Sequence, residues 1–301
     1  MTAELAGRAE LPVAPRRTSG PIARLRHGWR AYAKDKAAVA ALLLLVVVAL
    51  ASLFAPWISP HDPVEAVANR NAPPGSEGLL LGSDGDGRDV LSRLLWGGRV
   101  SLLVGVLPTV LAMLISLAIG VVVGCFRGWV DQIVVRALDM FFAFPLVLVA
   151  IVVAGILEPG LLTIIVAIVV ALVPYITRLV RTTTLSVSGQ AYVEAARAGG
   201  ADSFAILTRY VLPNTLPPVI VYTTTLIGMM MVLGSSLSFL GLGVQPPTAD
   251  WGLMVAEGRT VLKKAPHVTL FPGLVIIVVA LCFGFIGDGL RDALDPRARR
   301  R

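Results

Sequence analysis

The sequence predicts an all-α polytopic membrane protein with six transmembrane helices and both termini on the cytoplasmic side. Three observations carry that expectation. Hydrophobic residues make up 56% of the 301 residues and charged residues only 15%, with a mean hydropathy of +0.80. Soluble domains carry about 25% charged residues, so this chain cannot clothe a soluble surface. Five stretches lack Asp, Glu, Lys and Arg, 100–126, 140–157, 159–177, 210–249 and 265–287, and a sixth, 37–69, lacks Lys and Arg and carries acids only at Asp62 and Glu65, past its apolar part. Each can supply one span, which needs roughly 20 apolar residues. Last, eight of the 26 Lys and Arg precede residue 37 and five follow residue 290.

Six spans put both termini on one side, and charge chooses the side. With the N-terminus inside, cytoplasmic segments hold 19 Lys and Arg and outside segments hold 7. Cytoplasmic flanks of membrane helices collect such residues. The net charge of +7 is thereby explained by the bilayer, and nucleic acid is not expected as a partner.

Residues 1–36 are polar and basic, with Pro12, Pro15 and Pro21, and read as a cytoplasmic tail rather than a cleaved signal. The first helix is expected over 37–57, because the chain turns polar and Pro-rich after Trp57. An extracytoplasmic segment, 58–99, follows. Its "SDGDGRD", 83–89, invites a calcium reading, but an EF-hand wants a ligand at position 5, Gly at 6 and Glu at 12. Counted from Asp84, those places hold Arg88, Asp89 and Leu95. A Gly-rich turn leading into a helix is the expectation.

Residues 100–290 should supply the remaining five helices. Pro108, Pro145 and Pro174 are expected to bend them, which lipid-embedded helices tolerate. Arg136 and Asp139, spaced i, i+3, are expected to pair. The fifth run should break at 234–247, where Gly and Pro punctuate "GSSLSFLGLGVQPP". "GMMM", 228–231, suits either packing or a pathway lining. Residues 291–301 form a second basic cytoplasmic tail.

Several kinds of chemistry are unsupported. Cys125 and Cys282 sit singly in apolar runs, and His27, His61 and His267 are scattered, so neither a disulfide framework nor a metal site is expected. "LSVSGQ", 185–190, superficially resembles an ATPase signature segment, yet none of the four lysines lies in a phosphate-binding loop. Intramembrane enzymes and proton pumps need titratable groups at mid-bilayer, and the spans hold almost none.

One polar stretch stands out: "EAARAGGADSFAILTRYVLPN", 194–214. "AYVEAARA" favours helix, with Glu194 and Arg197 spaced i, i+3. Gly199 and Gly200 should end it, Gly200 with positive φ. Asp202 or Ser203 can cap a second short helix through "FAILT". Pro213 suits the start of the fifth span. The expected object is a hinged cytoplasmic lever continuous with a membrane helix.

Glu194-Ala195-Ala196, three residues, Gly200, then Leu212-Pro213 resembles the EAA loop of ABC importer membrane subunits. One position of that pattern differs: Tyr210 stands where the family has Ile. "LGSDGDGRDVLSRLLWGGRVSL" (81–102), "RALDMFFAFP" (136–145), "LSFLGLGVQPPTADWG" (237–252) and "FIGDGLRDALDPR" (285–297) resemble the C-type permease of dipeptide, oligopeptide and nickel importers. The resemblance covers about residues 23–297.

That resemblance implies a non-catalytic permease subunit in a bacterial plasma membrane, for dipeptides or oligopeptides, or alternatively for nickel or another small solute. The implied partners are a B-type permease as heterodimer, two ABC ATPase subunits and an extracytoplasmic binding protein. ATP and Mg would sit on the ATPases, and no cofactor on this chain. The implied ATPase-coupling residues are Glu194, Ala195, Ala196, Arg197, Gly199, Gly200, Asp202, Leu212 and Pro213. A membrane enzyme would need a titratable cluster at mid-membrane. A passive channel would leave the lever without purpose.

Overall fold

The computed structural model describes residues 32–76, 78–125 and 128–294. The tails at 1–31 and 295–301 lie outside the described residues. All regular elements among the described residues are helices. Helix α1, Lys36–Leu53, starts where the Asp35 carboxylate accepts the amides of Ala37 at 2.9 Å and Ala38 at 3.1 Å. A short α2, Ala55–Ile58, continues it.

Helix α3 runs Val90–Cys125, so it begins at Val90 rather than at residue 100. Charge hid this start. Arg93 is fully buried, yet its guanidinium meets the carboxylates of Asp84 at 2.9 Å and Glu257 at 2.9 Å. Arg99 donates to the carbonyls of Ser52 and Leu53 and lies over the Trp96 ring. Both charges are satisfied by tertiary contacts that a count of charge-free residues cannot see. Asp89 caps the helix, accepting the amides of Leu91 and Ser92 and the Ser92 hydroxyl.

The expected third span is the largest departure. Instead of one helix over 140–157, α4, Trp129–Phe142, and α5, Leu146–Ile156, meet at 90°. Pro145 is the cap at the break, whereas Pro108 and Pro174 lie inside continuous helices. At 1.5 Å per residue α5 is only about 16 Å long, roughly half the hydrocarbon core. Among the described residues five helices are long and apolar enough to cross a membrane, and the bent pair makes up to six.

The ends of the bundle show that the pair is one crossing. Helix α6 is Leu161–Ser188, α7 Ala191–Ala198, α8 Ser203–Ala205 and α9 Leu212–Phe239. Cys125, the end of α3, packs beside Val193 of α7. Ile164, at the start of α6, packs beside Gly243, beyond the far end of α9. The chain from 126 to 160 therefore passes from one end of the bundle to the other. Helix α10, Trp251–Gly258, and α11, His267–Leu294, complete the fold. Tyr32, Ala38 and Ala293 cluster together, so the first and last described helices begin and finish at one end of the bundle, as an even number of crossings requires.

Small residues let the helices approach. A Cβ at Gly120 would lie 2.7 Å from Val180, and one at Gly124 would lie 2.6 Å from Thr184, which seats α3 on α6. A Cβ at Gly228 would lie 2.5 Å from the Ala280 carbonyl, which seats α9 on α11. Met230 and Met231 are buried in packing, while Met229 is exposed.

The end of the bundle away from α7 is stapled by polar groups. Arg88 binds Asp84 at 2.7 Å, Asp86 at 2.8 Å and Glu257 at 3.1 Å. Burial pulls the Arg88 guanidinium down, but Asp84 and Glu257 outweigh it and hold it above its ordinary range. The Ser101 hydroxyl donates to Asp250 at 2.6 Å, and the Trp251 indole donates to the Leu94 carbonyl at 2.8 Å. These contacts tie α10 to the first turns of α3. "SDGDGRD" is thus a turn whose acids hold arginines.

Candidate functional site

Helix α7 has one deep anchor. Val193 is fully buried against Ile206 and Val211, while Tyr192, Glu194, Ala195 and Arg197 are exposed and Ala196 is half-buried. The helix ends in a complete Schellman motif. The Gly200 amide donates to Arg197 O at 3.1 Å and the Ala201 amide to Ala196 O at 3.1 Å. Gly199 is the C-cap, and Gly200 takes φ +82°, the left-handed conformation expected of it. A Cβ there would meet nothing within 4 Å, so the demand for glycine is conformational.

The next turn departs from expectation. Asp202 stands at the N-cap of α8, but neither it nor Ser203 supplies a side-chain cap bond. The Asp202 carbonyl alone does the work, accepting from Ile206 N at 3.0 Å. The short helix then widens into a π-helical turn, Ile206–Val211, that runs straight into α9. Such turns are rare and concentrate at functional sites. Tyr210 lies in this turn, half-buried against the Val193 anchor. Leu212 and Pro213 open α9, Leu212 half-buried and Pro213 exposed.

Residues 194–202 thus share one exposed face at the end of the bundle where α1 begins and α11 finishes, and 212–213 join it to a membrane helix. Glu194 and Arg197 form no ion pair with each other or with another described residue. The expected Arg136–Asp139 pair is likewise absent among the described residues. The ion pair here is instead Asp131 of α4 with Arg181 of α6, at 2.8 Å. Arg178 lies over the Phe142 ring, 4.9 Å from its centroid, on the same seam. Sequence reasoning missed Phe204, which is 71% exposed beside this face, and the Val193 anchor beneath it. An apolar residue in an otherwise polar stretch was the available signal for both.

This face has no catalytic geometry. It is three exposed charges, Glu194, Arg197 and Asp202, flanked by the exposed aromatics Tyr192 of α7 and Phe204 of α8 and backed by one apolar anchor. Residues 116–300 match the model of a family described as binding-protein-dependent transport system inner membrane components. The chain belongs to that family. Residues 24–74 also match the N-terminal transmembrane domain of oligopeptide transport permease C. The chain is 39% identical over 275 residues to the glutathione transport system permease protein GsiD of Pectobacterium atrosepticum, covering 91% of each. It is 39% identical over 272 residues to GsiD of Escherichia coli O6:K15:H31, covering 90% of each. Two inward-facing structures of the MetNI methionine ABC transporter share the fold. Their TM-scores are 0.55 and 0.56 at 19% identity, covering 67% and 66% of this chain and 97% and 95% of theirs.

As a member of that family, this permease is a non-catalytic membrane subunit of an ABC importer, seated in a bacterial inner membrane. Its work is therefore mechanical rather than catalytic.

Proposed function

We propose that this permease carries short peptides inward, glutathione-sized peptides, dipeptides and oligopeptides among them, as half of a heterodimeric pathway. A related B-type permease supplies the other half. Two ABC ATPase subunits bind ATP and Mg, and an extracytoplasmic binding protein delivers the cargo. Glu194, Ala195, Ala196, Arg197, Gly199, Gly200 and Asp202 dock on an ATPase, and Leu212 and Pro213 pass the motion into α9. ATP closure then shifts the population between inward-open and outward-open states.

The observation that carries this reading is the Gly200-capped helix. It is exposed on its outer side, pinned by Val193, and continuous through the π turn with a full-length span. A push on α7 crosses only the capped turn at 199–202 before the helical run from Ser203 carries it into α9. The GsiD relatives are named for glutathione transport, which supports peptide-class cargo.

The test is uptake of labelled dialanine, trialanine and glutathione by the reconstituted complex, beside its ATPase rate. Glu194→Lys should keep membrane levels but weaken ATPase attachment and abolish uptake. Transport by this chain alone, or parental uptake by Glu194→Lys with ATPases bound, overturns the reading.

A further inference from the structure

A groove of about 640 Å³ lies between α6, α9 and α11, at the same end of the bundle as α7. Its volume lies within the range of small-ligand sites, about 300–1,000 Å³. Its walls carry both signs of charge. Asp288 and Arg291 of α11 line it, both exposed, and neither has an ion-pair or hydrogen-bond partner among the described residues. Both lie in the last turns of α11, where charged side chains at a helix end reach water and can meet a solute.

The opposite wall is α9, with Asn214, Pro217, Pro218 and Tyr222. The two prolines lack amide hydrogens, so the carbonyls of Pro213 and Asn214 have no i+4 donor. The Asn214 amide is turned to the Tyr210 carbonyl, 2.6 Å away, inside the π turn. The groove therefore offers a carboxylate for a cation and a guanidinium for an anion. It also borders the segment through which α7 acts on α9.

We propose that this groove is an exit subsite for the two termini of a short peptide, Asp288 taking the α-ammonium and Arg291 the α-carboxylate. The proposal rests on the peptide reading above and names where that cargo last touches this chain. Geometry favours it. Asp288 and Arg291 are spaced i, i+3, with Cβ atoms about 5–6 Å apart. A dipeptide or tripeptide spans roughly 7–10 Å, and the long arginine side chain makes up the difference. An anionic lipid headgroup fits less well, because Asp288 opposes it. Weak binding suits an exit site, since cargo must leave.

The test uses the whole complex with its ATPases, without binding protein, in nanodiscs of phosphatidylcholine and phosphatidylglycerol. Equilibrium binding of labelled trialanine, its N-acetyl form and its C-amide is measured at millimolar concentration. Saturable binding of free trialanine should fall about tenfold in Asp288→Asn and in Arg291→Gln, the scale of one lost charge-assisted hydrogen bond. The pattern across blocked peptides is decisive. Asp288→Asn should cost the N-acetyl form nothing further, and Arg291→Gln should cost the C-amide nothing further. Equal losses for all three peptides, unchanged binding, no saturable binding, or dissociation of the complex by either variant overturns the groove. The uptake assay above separates the readings. If the parental importer moves peptides but the crossed pattern fails, only the groove falls. If it moves none, the peptide reading falls and takes the groove with it.

Discussion

Arg93 and Glu257, 164 residues apart, meet at 2.9 Å with the arginine wholly buried. Asp84 takes the second arm of the same guanidinium at 2.9 Å. One charged residue in the first turns of α3 thereby holds the loop before it and α10 beyond α9.

Removing one partner from such a cluster strands a buried charge, at a cost of about 3–5 kcal/mol. Asp84→Asn should therefore lower the thermal unfolding midpoint of the purified complex sharply. Asp86→Asn, at a side chain 64% exposed, should shift it little, because exposed pairs contribute only ~0–1 kcal/mol. Equal shifts for the two would show that Arg93 and Arg88 draw no special support from Asp84.

Gly200→Val places a β-branched residue at φ +82°. The strain is about 1–2 kcal/mol and is confined to an exposed turn. Insertion should be normal, with uptake lost while ATP hydrolysis persists. Gly200→Asn, which enters that conformation more readily, should retain more uptake than Val. Equal uptake by both variants would remove the conformational argument.

Gly120→Val inserts methyl groups where even a Cβ would lie 2.7 Å from Val180 and 3.0 Å from the Thr177 carbonyl. Overpacking there costs about 1–3 kcal/mol or more. Membrane levels of the assembled complex should drop, and quantitative immunoblotting measures this. Gly155→Ala, with nothing within 4 Å, is the matched control and should leave levels unchanged.

Topology can be read with single cysteines in a background free of Cys125 and Cys282. Cysteines at Glu65 and Thr248 are exposed and should react with an impermeant thiol reagent in intact cells. One at Gln190, equally exposed, should react only after lysis. Ala72 makes a poor probe because it is buried beneath the Ser83 hydroxyl. The reverse labelling pattern would invert the assignment of sides.

Much was legible in the sequence because the bilayer reads composition directly. Charge-free runs located most of the spans, and the split of Lys and Arg predicts which side each end faces. Gly200 announced its left-handed turn because a glycine pair closing an Ala-rich helix has few other uses. The short helix over Ala191–Ala198 and its glycine stop were legible because those residues are contiguous and their conformations are local.

What the sequence could not decide depends on partners distant along the chain. Arg99 and Arg93 kept the predicted second span from reaching Val90, because Arg99 is met by the carbonyls of Ser52 and Leu53 and the carboxylates that neutralise Arg93 lie nine residues before it and 164 residues after it. Arg136 and Asp139 suited each other by spacing, but Asp131 found Arg181 across the seam with α6. Asp202 looked like a side-chain cap and caps with its carbonyl alone. The 90° bend at Pro145 and the groove that sets Asp288 and Arg291 opposite the α9 prolines exist only once the helices pack. Apolar periodicity and charge are properties of a segment in its solvent, and the chain states them locally. Burial of a charge, the path of a bent helix and the meeting of opposite walls depend on long-range geometry, which only the packed bundle supplies.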